Sequence, residues 1–221
     1  MTVPGQIVIL NGVPRSGKSA IAKAIQDGLD GTWLSLGVDA SMRSTPERFQ
    51  PGIGLRPGGE RPDLEELVTV LYAALYESVA AHARIGVNVV VDVGHHEFYS
   101  KPLHILRDSA RRLNGLPVLF VGVRCPIDAI WQRREQTWGQ KRETADETLL
   151  AAVERWQSAT HAHGAYDLEI DTSVLTPVQS AQIISNRLAG GPPGTALERL
   201  AALRADAHSV TFPAVRDALV S

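Results

Sequence analysis

Cysteine is nearly missing from this chain of 221 residues: Cys125 stands alone. No disulfide can form within the molecule, and the chain suits a reducing cytosol. A single cysteine is read first as a small buried hydrophobe rather than a nucleophile. Long hydrophobic runs are missing too, and the N-terminus has no charged region leading into an apolar one, so neither a spanning helix nor a secretory leader is expected and the cytoplasm is the default address. Nor does one sign of charge dominate. With 22 basic against 24 acidic residues the formal net charge is -2, so no global field draws the chain to nucleic acid or to an anionic membrane. Small molecules or protein are the expected partners. What remains is ordinary globular composition, 44% hydrophobic and 21% charged, enough for one domain with a substantial core and a tail.

Five short apolar segments punctuate the chain: Ile7 to Leu10, Trp33 to Val38, Val87 to Val93, Pro117 to Val123, and Leu168 to Ile170. Helical patterns separate them over Lys18 to Leu29, Leu64 to Arg84, Pro102 to Leu113, Ile127 to Thr137 and Thr144 to His161, with Pro177 to Leu188 following the last. Strands alternating with helices predict right-handed crossovers and a parallel sheet covered on both faces, an α/β fold. Runs without alternation, such as Val89-Val90-Val91, fit strands buried on both sides. Two segments break the rhythm. Ser41 to Asp63, rich in Pro and Gly, has too little apolar content for an element of its own and is expected to be a substrate-binding loop with Met42 and Arg43 at its start. Gly190-Gly191-Pro192-Pro193-Gly194 then leads into an amphipathic stretch, Ala196 to Ala205, which could pack on the body or serve a homo-oligomer.

The most informative segment is Gly12-Val13-Pro14-Arg15-Ser16-Gly17-Lys18-Ser19, placed between a predicted strand and a predicted helix. A glycine-rich turn entering a helix N-terminus points several backbone N–H groups at one spot, and those donors with the helix dipole suit a polyphosphate. The pattern demands a Lys followed by a hydroxyl residue because Lys18 reaches the β- and γ-phosphates while Ser19 coordinates Mg²⁺. The loop assigns Gly12, Pro14, Arg15, Ser16, Gly17, Lys18, Ser19 and Ala20 to a nucleoside triphosphate.

In open sheets ligands gather beyond the carboxyl ends of the strands. Asp39 closes the second predicted strand, where a carboxylate can orient an acceptor hydroxyl and accept its proton; the alternative is a helix N-cap, which the Pro- and Gly-rich segment after it disfavours. Asp92 ends the third strand and is the expected second metal-side group, holding Mg²⁺ directly or through water. His95-His96-Glu97 lacks the spacing of a zinc site, so His95 and His96 are assigned to substrate contact or to hydrogen bonds behind it. Arg133, Arg134, Lys141 and Arg142, with Gly139 between the pairs, read as a basic lid over about residues 131–145. Trp131 and Trp138, seven apart, read as one core stripe, and His161 and His163 as helix-end caps.

Several of these segments together resemble chloramphenicol phosphotransferase and its relatives: Ile7 to Gly12 leading into the loop, Trp33 to Asp39, Gly122-Val123-Arg124-Cys125, Arg134-Glu135 with Gly139, and Tyr166-Asp167 before Asp171-Thr172. The likeness runs from about Gln6 to Leu188, leaving 1–189 as the expected domain and 190–221 as a linker and helical extension. It implies a P-loop kinase fold like that of shikimate and adenylate kinases, with a five-stranded parallel sheet, and transfer of phosphate from ATP to a hydroxyl of an antibiotic. Carried over by position, the base falls on Asp39, the loop lysine and hydroxyl on Lys18 and Ser19, and the lid arginine on Arg134. The chain departs from the pattern at Trp138, where an arginine is expected before the lid glycine, and at Lys141, where another is usual. Ser41 to Asp63 and the tail from Gly190 do not match. The acceptor is therefore expected to be chloramphenicol-like or a nucleoside antibiotic. A kinase of a metabolite or nucleotide sugar is the first rival. A nucleotide-switched binding protein is the second, though the chain has no Asn-Lys-x-Asp motif.

Overall fold

A computed structural model describes residues 3–50 and 61–202. Its centre is a parallel sheet of five strands: β1 (Ile7–Asn11), β2 (Trp33–Gly37), β3 (Asn88–Val93), β4 (Val118–Arg124) and β5 (Leu168–Asp171), in spatial order β2-β3-β1-β4-β5. Successive residues of a strand face opposite sides. Ile7, Ile9, Val89, Val91 and Phe120 therefore pack one face against α3 (Glu65–Arg84), α4 (Ile105–Arg112) and α8 (Ala196–Ala202), through Tyr76, Val79, Leu106, Ala110 and Leu197. Val8, Leu10, Val90, Leu119 and Val121 pack the other against Ile21 and Ile25 of α1 (Lys18–Gly28) and Ile184 of α7 (Pro177–Gly190). Both faces are covered, which is why the strands read as unbroken apolar runs.

Local chemistry sets the helix starts. Thr176 accepts a hydrogen bond from the Gln179 backbone at 3.2 Å while the Gln179 side chain accepts from the Thr176 N–H at 2.9 Å, a capping box with Pro177 at the first helical position. Asp146 caps α6 (Glu147–Thr160) by accepting from Leu149 N–H at 2.7 Å. Beyond the carboxyl edge, α5 (Ile127–Trp138) and α6 enclose a small core of Val13, Cys125, Ile130, Trp131 and Val153.

Two expectations need correction. Strand β2 stops at Gly37, and Val38–Arg43 forms a short helix, α2, followed by a 3-10 turn over Glu47–Phe49; the stretch expected to lack elements is partly helical because α2 packs against β2 and α3. Asp39 thus sits in the first turn of α2 and does not cap it, Gly37 being the N-cap residue. The loop positions 51–60 lie outside the described residues. The tail packs on the body as far as it is described: Asp167 accepts from Thr195 N–H at 2.7 Å and Ala196 N–H at 2.9 Å, seating α8 against α4. Positions 203–221 lie outside the described residues. Among the described residues no helix is long and apolar enough to cross a membrane.

Candidate active site

The glycine-rich loop turns from β1 into α1 through two left-handed residues, Gly17 at φ 96° and Arg15 at φ 67°. Glycine takes that conformation freely, whereas an L side chain such as Arg15 is strained there by about 1–2 kcal/mol. Side chains from the far edge anchor the loop. Arg133 of α5 donates to the Arg15 carbonyl at 3.1 Å and to Thr172 Oγ1 at 3.0 Å and its carbonyl at 2.6 Å, while the Thr172 hydroxyl donates to the Ser16 carbonyl at 2.7 Å. Lys18 Nζ folds back onto the Val13 carbonyl at 3.0 Å and lies 3.5 Å from Asp92 Oδ1.

Ser19 Oγ donates to Asp92 Oδ2 at 2.6 Å. A hydroxyl and a carboxylate meeting at the mouth of a phosphate loop are hard oxygen donors of the kind Mg²⁺ takes, with the remaining positions left to water and phosphate. Among the described residues no group of three or more His, Cys, Asp and Glu is placed to hold a metal ion.

Loop and carboxylates open onto one cavity of about 710 Å³. Gly12, Pro14, Arg15, Gly17, Lys18, Ser19 and Ala20 of the loop line it with Asp92 and Arg133, and Asp39 and Met42 line the same cavity. One part of the remaining wall is aromatic. His96 stacks on Tyr99 with centroids 4.4 Å apart and meets Trp156 edge-on at 5.6 Å, with Tyr72 and Val68 alongside. A β-carbon on Gly94 would come within 3.0 Å of Trp156 Cζ3 and 3.2 Å of the Gly12 carbonyl, so a glycine there lets the wall reach the loop. Burial, with the charges of Asp39 and Asp92, raises the Tyr72 phenol well above its usual range, so it remains a neutral donor.

The profile of the chloramphenicol phosphotransferase-like proteins matches residues 5–189, most of the chain. The chain belongs to this family. Its relatives include the Mycobacterium tuberculosis protein named "Putative O-phosphotransferase Rv2636", 26% identical over 190 residues that span 79% of this chain and 77% of the relative. Among solved structures, a tunicamycin resistance protein of Deinococcus radiodurans superposes with a TM-score of 0.54 at 17% identity, covering 84% of this chain and 96% of that one. A gluconokinase of Sinorhizobium meliloti superposes at 0.51 with 20% identity, covering 91% and 95%. These likenesses are of fold. With the family they make the chain a phosphotransferase of the P-loop kinase fold, a nucleotide-using enzyme.

Not every residue assigned from the family pattern reaches the cavity. Arg134, the expected lid arginine, is only 6% exposed; α5 turns it inward, where it donates to Gln140 Oε1 at 2.8 Å and lies 5.3 Å and 5.0 Å from the rings of Trp131 and Trp138. Its neighbour Arg133 lines the cavity instead. Arg142 pairs with Asp128 at 2.7 Å and Lys141 with Glu135 at 3.4 Å, both near the surface. Arg43 is exposed and outside the cavity wall. His95 is outside it as well. Alternation along the chain sends His96 to the cavity and His95 into the core, 2% exposed, with Nε2 2.7 Å from the Tyr76 hydroxyl. Trp138 leaves the predicted core stripe: it is 46% exposed, and the Arg15 guanidinium carbon lies 3.6 Å from its ring centre.

Sequence reasoning missed a buried polar network beneath the loop. Asn11 Oδ1 accepts from the His95 N–H at 2.6 Å, and Asn11 Nδ2 donates to the Tyr166 hydroxyl at 2.9 Å and the Thr160 carbonyl at 3.2 Å. His161 Nδ1 lies 2.7 Å from the same hydroxyl. Burial and then the Arg124 charge pull His161 and His163 down to about 4, so both are neutral at physiological pH. A polar residue ending an apolar strand, Asn11 after Leu10, was the available signal. Tyr72 and Trp156 had none, because an aromatic at helical spacing reads as core.

Proposed function

We propose that this protein transfers the γ-phosphoryl group of ATP, with Mg²⁺, to a hydroxyl of a small antibiotic and so inactivates it. The observation that carries this reading is that Asp39 and the Lys18–Ser19 end of the phosphate loop line one cavity, whose size suits a small molecule held beside a triphosphate. Among the described residues no hydrogen bond or ion pair engages the Asp39 carboxylate, which leaves it free to accept a proton. The acceptor hydroxyl would sit between Asp39 and the loop. Asp39 orients it and takes its proton as the oxygen bonds to phosphorus and ADP departs with the bridging oxygen. Lys18 would leave the Val13 carbonyl to meet phosphate oxygens, and Ser19 and Asp92 would hold the metal. When bound, Mg²⁺ supplies charge neutralisation on the phosphate oxygens.

The aromatic wall of Tyr72, Tyr99, His96 and Trp156 supports an acceptor with apolar or ring surface, as does the family's description by an antibiotic substrate. A mass-shift screen with ATP, Mg²⁺ and a panel of antibiotic alcohols, both chloramphenicol-like and nucleoside, tests the reading. A gain of one phosphate on a panel member, lost in Asp39→Asn with ATP binding intact, is the expected result. Preference for shikimate, gluconate or a nucleotide sugar over every antibiotic would replace it with a metabolic kinase.

A further inference from the structure

We propose that the side chain of Arg15 is catalytic: its guanidinium rests on the Trp138 ring, and with nucleotide bound it moves to the transferring phosphoryl group and neutralises the charge developing there. This rests on the phosphotransferase reading above and names a residue that performs it.

Among the described residues three cations line the cavity, Arg15, Lys18 and Arg133. Arg133 is spent on structure, its guanidinium divided among the Arg15 carbonyl and both oxygens of Thr172. Lys18 is the phosphate-loop lysine, already drawn to the Val13 carbonyl and Asp92. Arg15 differs from both. Among the described residues its guanidinium meets no carboxylate or carbonyl at hydrogen-bond distance; its carbon lies over Trp138, 3.6 Å from the ring centre, and its Nε is buried without an acceptor. Among the described residues the Asp39 carboxylate, which lines the same cavity, is the charge that acts on it.

The backbone supports the same conclusion. Arg15 and His104 are the only non-glycine residues with positive φ among the described residues. Glycine would hold the Arg15 conformation without strain, so a loop used solely as a backbone cradle gains nothing from an arginine there. Among the described residues the lid cations are turned elsewhere: Arg134 is buried beside the tryptophans, Lys141 pairs with Glu135 and Arg142 with Asp128, and Trp138 occupies the position where the sequence pattern leads to an arginine. The guanidinium that would come down from the lid is thus presented by the loop, with the lid offering the indole that holds it. A cation–π contact on a half-exposed ring is weak beside a charge-assisted fork to phosphate oxygens, so nucleotide can draw Arg15 away. Arg15 undergoes no covalent change. The bond from phosphorus to the bridging oxygen of ADP breaks, the acceptor oxygen bonds to phosphorus, its proton passes to Asp39, and Arg15 donates hydrogen bonds to the oxygens in flight.

Arg15→Gly is the informative variant, because it removes the guanidinium and relieves the backbone. Calorimetry on the full chain would compare ADP with ADP plus aluminium fluoride, a mimic of the planar phosphoryl group, in the presence of Mg²⁺. The wild type should bind the fluoride complex at least about 10²-fold more tightly than ADP, and Arg15→Gly should keep ADP affinity within about threefold while losing about 10² of that tightening. Retained ADP affinity reports an intact loop. If Arg15→Gly keeps the full tightening, the assignment to Arg15 is overturned and the phosphotransferase reading stands. If the wild type shows no tightening, the phosphotransferase reading falls and this one with it.

Discussion

His95 makes the stability of this protein depend on pH in a way the structure quantifies. Burial, with smaller contributions from His163 and His96, lowers its pKa from 6.5 to about 3. A histidine depressed in the folded state binds protons more readily when unfolded, so stability is fully present above pH 6.5 and drains away as pH falls toward 3. Linkage gives a loss of about 2 kcal/mol between pH 8 and pH 5 from this one residue, and roughly 4–5 kcal/mol once the pH is below the folded value. His161 and His163, lowered to about 4, act in the same direction, so the wild-type slope alone cannot isolate His95. The comparison with His95→Gln can, because an amide keeps a polar partner for the Tyr76 hydroxyl and does not titrate. Urea denaturation at pH 8 and pH 5 should show the variant losing about 2 kcal/mol less than the wild type over that interval. Equal losses would mean that His95 titrates as an exposed histidine and that its burial against Tyr76 is wrong. Because the His95 N–H also holds Asn11, acidification should loosen the Gly94–His96 wall and weaken acceptor binding before nucleotide binding.

Three further outcomes are expected. Asp92→Asn keeps a side chain beside Ser19 but removes the charge, so the Mg²⁺ concentration for half-maximal turnover should rise by about 10- to 100-fold in a metal titration. Gly94→Ala puts a β-carbon 3.0 Å from Trp156 and should raise the acceptor KM while the ATP KM holds; equal increases in both would show that the Gly12 side yields instead. Asp167→Ala strips the acceptor from the N–H groups of Phe120, Thr195 and Ala196, which should cost about 2–4 kcal/mol in urea denaturation and leave turnover at low temperature near that of the wild type.

The five strands and most helices could be read to within a few residues, because strands buried on both faces and amphipathic helices leave one-dimensional patterns. The short helix at Val38–Arg43 could not, since it depends on packing against α3 rather than on its own periodicity. The same contrast runs through the site. Gly12 to Ser19 declares itself because its residues are contiguous, so that chain continuity alone carries them from β1 through the turn into α1. His95 and His96 are adjacent letters with opposite fates, one under Tyr76 and one in the cavity, and spacing could not say which faced where.

By itself, then, the sequence determined the chemistry of the donor side: a strand, a glycine-rich turn, a lysine and a hydroxyl are contiguous, and local geometry suffices to bring them together. Tertiary structure decided the remainder. Asp39, His96 and Trp156 come from three segments far apart in the chain and meet only because parallel strands deliver their carboxyl ends to one edge. Likewise, the rotation of α5 buries Arg134 and turns Trp138 toward Arg15. Adjacent positions on a helix point about 100° apart, so which of two neighbouring arginines meets the cavity is a property of how the helix packs, not of the letters along it.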